Sequence, residues 1–341
     1  MGGLLRIVYV VESLELAGGV KVIVEHAEEL AGRGHDVSIV TKDPRHDWIE
    51  VRVPITGVDR FDASTLPAAD VHIATWFPTV VPTVRAGKAS KIFHFSQGYE
   101  ALYPNVAHRL DEIEEAYRQD VPKLLISRHL LAIFEGRFPG PYHVIPQAIR
   151  AADYAPATAK PSLGAPPVIG IVGPFEAANK GIRVALGAVS RLRAAGRELS
   201  AHRASQLPLS AEESSLCRPD LYAHAASVSE MVRFYQGLDL LIHPSFEAEG
   251  FPLPPLEAMA SGVPVVLTDI PSFDPLPPDS VSRVPRGDDS AMAREAARLL
   301  DDAALWTKRR LRGLEVARDD YSLEKAGDVL EKVIVGSTGS A

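Results

Sequence analysis

Residues 243–266, HPSFEAEGFPLPPLEAMASGVPVV, run from the end of an apolar strand through a Gly- and Pro-rich loop into a helix, and out to a second strand. Strand, loop, helix and strand in that order are the repeating unit of a parallel sheet. Two carboxylates, Glu249 and Glu257, flank the loop with seven residues between them. A loop entering a helix offers backbone N–H groups and a positive dipole end, which suit a phosphate. Carboxylates beside such a site would repel phosphate, so their work is to accept hydrogen bonds from hydroxyls. A ligand carrying both phosphate and sugar hydroxyls is a nucleotide sugar.

The rest of the chain is consistent with that ligand. At 341 residues it is too long for one compact core and divides into two domains. A formal net charge of −8 argues against nucleic acid as the main partner. Cys217 is the only cysteine, which leaves no disulfide framework and no thiolate cluster. The apolar run Leu4–Val11 is broken by Arg6 and is far shorter than the ~20 residues of a membrane span. Arg6 also stands where a myristoylation signal following Gly2 would have Ser or Thr. A cytoplasmic protein is expected, with peripheral membrane contact left open.

Short apolar runs alternate with helical patterns in two series. Arg6–Val11 reads as a strand, followed by Gly18-Gly19 and a helix from Val20 whose apolar residues share one face. Gly32 and Gly34 close that helix. Further strands are expected at Val37–Thr41, Val71–Ala74, Lys91–Phe95, Lys123–Ser127 and Tyr142–Ile145. Residues 151–167 hold four prolines and little apolar periodicity, and read as a linker. The second series has strands at Val168–Val172, Glu198–His202, Leu238–His243 and Val263–Thr268. Its helices are expected at Lys180–Ala195, Ser229–Gly237, Asp288–Asp301, Leu305–Arg318 and Leu323–Val333. The fold class is therefore α/β, with doubly wound, Rossmann-like domains at 1–150 and 168–320. Ligand-binding carboxyl ends of both sheets would face one cleft.

On these residues the chain resembles the retaining GT-B glycosyltransferases of family 4, the group 1 type. The resemblance rests on Gly18-Gly19, on Gly173 with Lys180-Gly181, on the run Ser229–Ser245 and on the Glu-x7-Glu spacing at 249–257. It implies two Rossmann-like domains around a cleft, residues 321–341 forming a helix that crosses back to the first domain plus a tail, and hexosyl transfer from a nucleoside-diphosphate sugar to a hydroxyl. The donor site would comprise Gly18, Gly19, Gly173, Lys180, Arg183, Glu249, Gly250, Phe251, Pro252, Leu253 and Glu257. Backbone amides of the Gly250–Leu253 loop would meet the donor sugar and its β-phosphate. Glu249 would accept sugar hydroxyls and Glu257 the ribose hydroxyls, each by charge-assisted bonds. Lys180 would clamp the diphosphate, where charge builds as the bond to the sugar breaks.

Three departures from the family pattern stand out. Pro174 and Phe175 follow Gly173 where an arginine is usual, so either Arg183 takes over or Lys180 acts alone. Gln97 occupies a position that is histidine in many relatives; its amide positions a hydroxyl but shuttles no proton, and some rhamnosyltransferase-like members share it. Gln147-Ala148 replaces the usual Asn-Gly. His94, two residues before Ser96, is expected to be a buried structural histidine. There is no Asp-x-Asp and no metal-ligand spacing, so neither a metal nor a cofactor is expected. Lys180, Glu249 and Gln97 are the candidate catalytic residues. A nucleotide-sugar isomerase or hydrolase of the same fold, or an inactive binding module, remains open, as does the acceptor (polysaccharide, lipid or small natural product).

Overall fold

The computed structural model describes residues 3–156, 162–246 and 250–338. The chain forms two compact units, Met1–Ala148 with Leu323–Ala341, and Ile149–Ser322. Each is built on a parallel sheet.

In the first unit the order is β1 (Arg6–Ser13), α1 (Gly18–Gly32), β2 (Asp36–Asp43), β3 (Ile55–Gly57), β4 (Ala69–Ala74), α2 (Phe77–Ala86), β5 (Ala89–Ser96), α3 (Leu110–Tyr117), β6 (Lys123–Leu125), α4 (His129–Phe134) and β7 (Tyr142–Val144). The strands lie in the order β3-β2-β1-β4-β5-β6-β7, with every pairing parallel. Ile7, Val8 and Val10 of β1 are completely buried, as a strand covered on both faces requires. Burial of each such side chain contributes about 2 kcal/mol.

Helix α1 is buried over more of its circumference than a single apolar stripe predicts, with Lys21, Glu25 and His26 inside as well. Part of the reason lies at the far end of the chain. Residues Leu323–Thr338 form a helix belonging to this unit, and Arg33, just past α1, donates to Asp328 (2.8 Å), Glu331 (2.9 Å) and the Glu324 carbonyl (2.8 Å).

The second unit runs α5 (Ala151–Tyr154), β8 (Val168–Val172), α6 (Ile182–Ala194), β9 (Ser200–Ser205), α7 (Ala211–Leu216), β10 (Leu221–His224), α8 (Val228–Gln236), β11 (Leu240–His243), α9 (Leu253–Ala260), β12 (Val265–Thr268), β13 (Ser282–Val284), α10 (Asp289–Asp301) and α11 (Ala303–Asp319). The helix at Leu323–Thr338 is α12. Strand order is β10-β9-β8-β11-β12-β13, again all parallel. Ile169, Ile171, Leu186, Val189, Ile242 and Met292 share its core.

Not all of residues 151–167 behave as a linker. Residues 151–154 are helical and belong to the second unit. Asp239 accepts from the Gly164 amide (3.0 Å) and the Val168 amide (2.8 Å), fixing the approach to β8. Strands β3, β10 and β13, absent from the sequence reading, all lie on sheet edges. Among the described residues no helix is long and apolar enough to cross a membrane.

Candidate functional site

In each sheet the strand order reverses direction at one point, between β1 and β4 in the first and between β8 and β11 in the second. Loops leaving the carboxyl ends of such a strand pair frame a ligand crevice in doubly wound folds. In the second unit those loops begin at Gly173 and at His243, the two stretches singled out by sequence.

Gly173 has φ +127°, a conformation closed to side-chain-bearing residues. The stem of Lys180 lies over it, 3.6 Å from where a β-carbon would be. Lys180 does not open the following α-helix as the sequence suggested. It ends a single 3-10 turn, Ala178–Lys180, and Gly181 caps α6 in the left-handed conformation at φ +61°. A β-carbon on Gly181 would stand 2.2 Å from the Pro244 carbonyl oxygen, so only glycine lets the two loops touch. The Phe246 amide donates to the Asn179 carbonyl (2.8 Å) and completes the junction. His243 and Ser245 bond through Nε2 and Oγ at 2.8 Å, and Thr268 donates to the Ser245 carbonyl. Burial, followed by the charge of Lys180, pushes the His243 imidazole down to about 3. His243 is therefore neutral at ordinary pH.

Gly250, Phe251, Pro252 and Leu253 follow the junction, and α9 starts at Leu253 with Pro252 as its cap. Pro252, Pro254 and Pro255 have no N–H, so in residues 250–255 only Gly250, Phe251 and Leu253 carry a backbone amide hydrogen. The helix start thus offers fewer donors than the sequence argument assumed. Phe251 is a core residue, packed on Phe273 and Tyr321 with ring centroids 5.8 and 5.5 Å away. Glu249 lies outside the described residues.

Glu257, on α9, is buried and accepts from the Tyr154 hydroxyl at 2.8 Å. Arg183 donates to Glu212 (2.5 Å) and sits over the Phe175 ring at 5.0 Å. A different arginine was missed by the sequence reading. Arg203 of β9 is fully buried and donates to the carbonyls of Ile171, Ala204 and Gly173 (3.0, 3.0 and 2.9 Å) and to Glu213 (2.6 Å). It holds the Gly173 turn from beneath. An arginine inside a strand carries no local signal of that role.

In the first unit Gly18 and Gly19 are not in a loop. They are the first two residues of α1, which Ala17 precedes as cap, and neither has a positive φ. Gln97, just past β5, donates through Nε2 to the Gly19 carbonyl at 2.9 Å, and a β-carbon on Gly19 would stand 3.2 Å from the same nitrogen. The structure therefore brings Gln97 and Gly19 together. Behind them is a buried polar cluster. The Ser96 hydroxyl donates to the Gly98 carbonyl (2.6 Å), and the Tyr117 hydroxyl is shared between that carbonyl (2.9 Å) and Glu100. Burial raises the Glu100 carboxyl to about 7, against the pull of Tyr117. His94 is buried as expected, its ring 4.7 Å from Tyr117, and burial with the nearby Lys123 charge lowers it to about 3. Among the described residues no group of three His, Cys, Asp or Glu side chains is placed to hold a metal ion.

Comparison with known proteins bears on this site. Residues 166–302 match the family Glycosyl transferases group 1. The lipopolysaccharide core biosynthesis mannosyltransferase LpsB of Rhizobium meliloti is 30% identical over 143 residues, which are 41% of this chain and 40% of that protein's length. Sucrose-phosphate synthase from Thermosynechococcus elongatus superposes with a TM-score of 0.77 at 16% identity, over 98% of this chain and 100% of its own. HepE of Anabaena, solved in complex with UDP-glucose, gives 0.77 at 12% identity, over 96% and 99%. At those identities the structures speak to fold: α/β, of the GT-B type.

Proposed function

We propose that this chain, which carries a group 1 glycosyltransferase domain at residues 166–302 within a GT-B fold, transfers a hexosyl group from a nucleoside-diphosphate sugar to a hydroxyl acceptor. The observation that carries the reading is the seat of Lys180, laid over Gly173 and locked to the 244–246 loop at the switch point of the second sheet. The relative named for mannosyl transfer and the neighbour solved with UDP-glucose support the substrate class.

In this reading the diphosphate rests against Lys180 and the amides of Gly250, Phe251 and Leu253. As the sugar C1–O bond breaks, its electron pair moves to the β-phosphate, and a cation already in place stabilises that charge without reorganisation. The acceptor oxygen bonds C1 on the face the phosphate leaves, and its proton passes to a phosphate oxygen, so the anomeric configuration is retained. Glu257 accepts from the ribose hydroxyls and Glu249 from the sugar. Gln97 orients a hydroxyl near the reacting carbon, and it brings rhamnosyl donors into consideration beside mannosyl and glucosyl ones. Lys180 fills the role that a divalent ion has in enzymes carrying Asp-x-Asp, a motif this sequence lacks.

The test is incubation with a panel of UDP-, GDP- and dTDP-hexoses, with and without EDTA, following release of the nucleoside diphosphate and the anomeric configuration of any product by NMR. Release that persists in EDTA, with retention, is expected. Failure to bind or turn over any donor would sink the proposal, an inverted product would exclude the same-face step, and activity lost to EDTA and restored by magnesium would exclude metal independence.

A further inference from the structure

Glu257 is held by more than its own helix. Tyr154, the last residue of α5, is 1% exposed and donates its hydroxyl to Oε1 of Glu257 across 103 residues of sequence. Tyr235 of α8 is wholly buried, and burial together with the Glu257 charge pushes its phenol far above the ordinary range. The two tyrosine rings meet edge to face at 6.1 Å. The next residue of α8, Gln236, donates through Nε2 to the carbonyls of Tyr154 (3.3 Å) and Ala155 (3.1 Å), so α5 is fastened through its backbone as well.

The geometry points to Tyr154 as a positioning residue for nucleoside recognition, its O–H fixing the plane in which the Glu257 carboxylate accepts hydroxyls of the donor's ribose. This rests on the reading of Glu257 as the ribose ligand. A bond from a hydroxyl to an ionised carboxylate is roughly twice as strong as a neutral one. A buried carboxylate without such a donor swings toward whatever partner remains, and an acceptor aimed wrongly by a few tenths of an ångström loses the hydroxyl it was meant to bind. Tyr154→Phe keeps the ring packed on Tyr235 and removes the donor alone.

The experiment is calorimetric titration of the full chain with UDP, GDP and dTDP, and with inorganic pyrophosphate as a probe of the phosphate site. For whichever nucleoside diphosphate binds wild type best, Tyr154→Phe is expected to weaken affinity about tenfold and to leave pyrophosphate affinity within about twofold. In a Glu257→Gln background the same change should cost less than about twofold, because the two residues act as one unit. Unchanged nucleotide affinity in Tyr154→Phe, an equal loss in both backgrounds, or a parallel loss of pyrophosphate binding would each overturn the assignment. Wild type that binds none of the three nucleotides would overturn the functional reading itself, and the inference with it.

Discussion

The carboxyl edges of the two sheets both present glycines next to a candidate functional side chain, but for different reasons. On the second, Gly173 and Gly181 hold backbone angles of +127° and +61°, and the Gly181 position abuts a carbonyl oxygen that cannot give way. On the first, Gly18 and Gly19 are ordinary helical residues, and what Gly19 meets is the far end of the Gln97 side chain rather than backbone. The second edge is rigid. The first is a side-chain contact backed by a buried polar cluster.

If charge is handled on the second edge alone, Lys180→Ala will lower the transfer rate by about two to three orders of magnitude. Arg183→Ala, by contrast, will stay within about threefold, since Glu212 and Phe175 already engage that guanidinium. Comparable losses in both, measured as kcat/KM for the same donor, would break the comparison.

Rigidity is tested by alanine. Gly181→Ala imposes both a left-handed alanine and a collision with the Pro244 carbonyl, and is expected to destabilise the second unit by about 3 kcal/mol in urea unfolding. Gly19→Ala should change stability by less than about 1 kcal/mol, because alanine favours the helix while Gln97 is displaced. Equal losses would mean the first edge is as tightly built as the second.

The buried cluster behind Gln97 gives a pH test. The folded-state pKa of Glu100 is raised from 4.5 to about 7, so its contribution is fully present below 4.5 and is lost as pH rises through 7. His94 works the other way: lowered to about 3, it contributes above 6.5 and loses that as pH falls toward 3. Between 4.5 and 6.5 the two oppose. Removing the first by Glu100→Gln should make stability climb more steeply with pH than in wild type, the difference growing by about 3 kcal/mol at most between 4.5 and 7. Parallel stability curves for the two proteins would show that Glu100 is not held protonated.

A modest effect belongs to Gln97. A neutral amide orienting one hydroxyl is worth about 1 kcal/mol, so Gln97→Ala should cost about fivefold in kcat/KM. A loss as large as that of Lys180→Ala would give the first edge a share of the charge.

What was legible follows the same divide. Interior strands such as β1, β8 and β11 are continuous apolar runs because both faces are covered, and each was found within a few residues. The edge strands β3, β10 and β13 are short and carry polar residues, Ser-Arg-Val in the last, so no apolar run announced them. Tyr154 was hidden in a proline-rich stretch, and its partner lies 103 residues away. Arg203 looked like any arginine because the carbonyls that bind it come from a neighbouring strand and its turn.

By itself the sequence determined the two α/β repeats and the strand–loop–helix–strand unit around residues 243–266, because apolar periodicity is a local property. Only the tertiary structure decided that Lys180 ends a 3-10 turn, that Gly18 and Gly19 begin a helix, that Arg183 is engaged elsewhere and that Tyr154 meets Glu257. Those outcomes depend on which elements lie side by side, and a hydrogen bond or collision between them exists only once the sheets have brought them together.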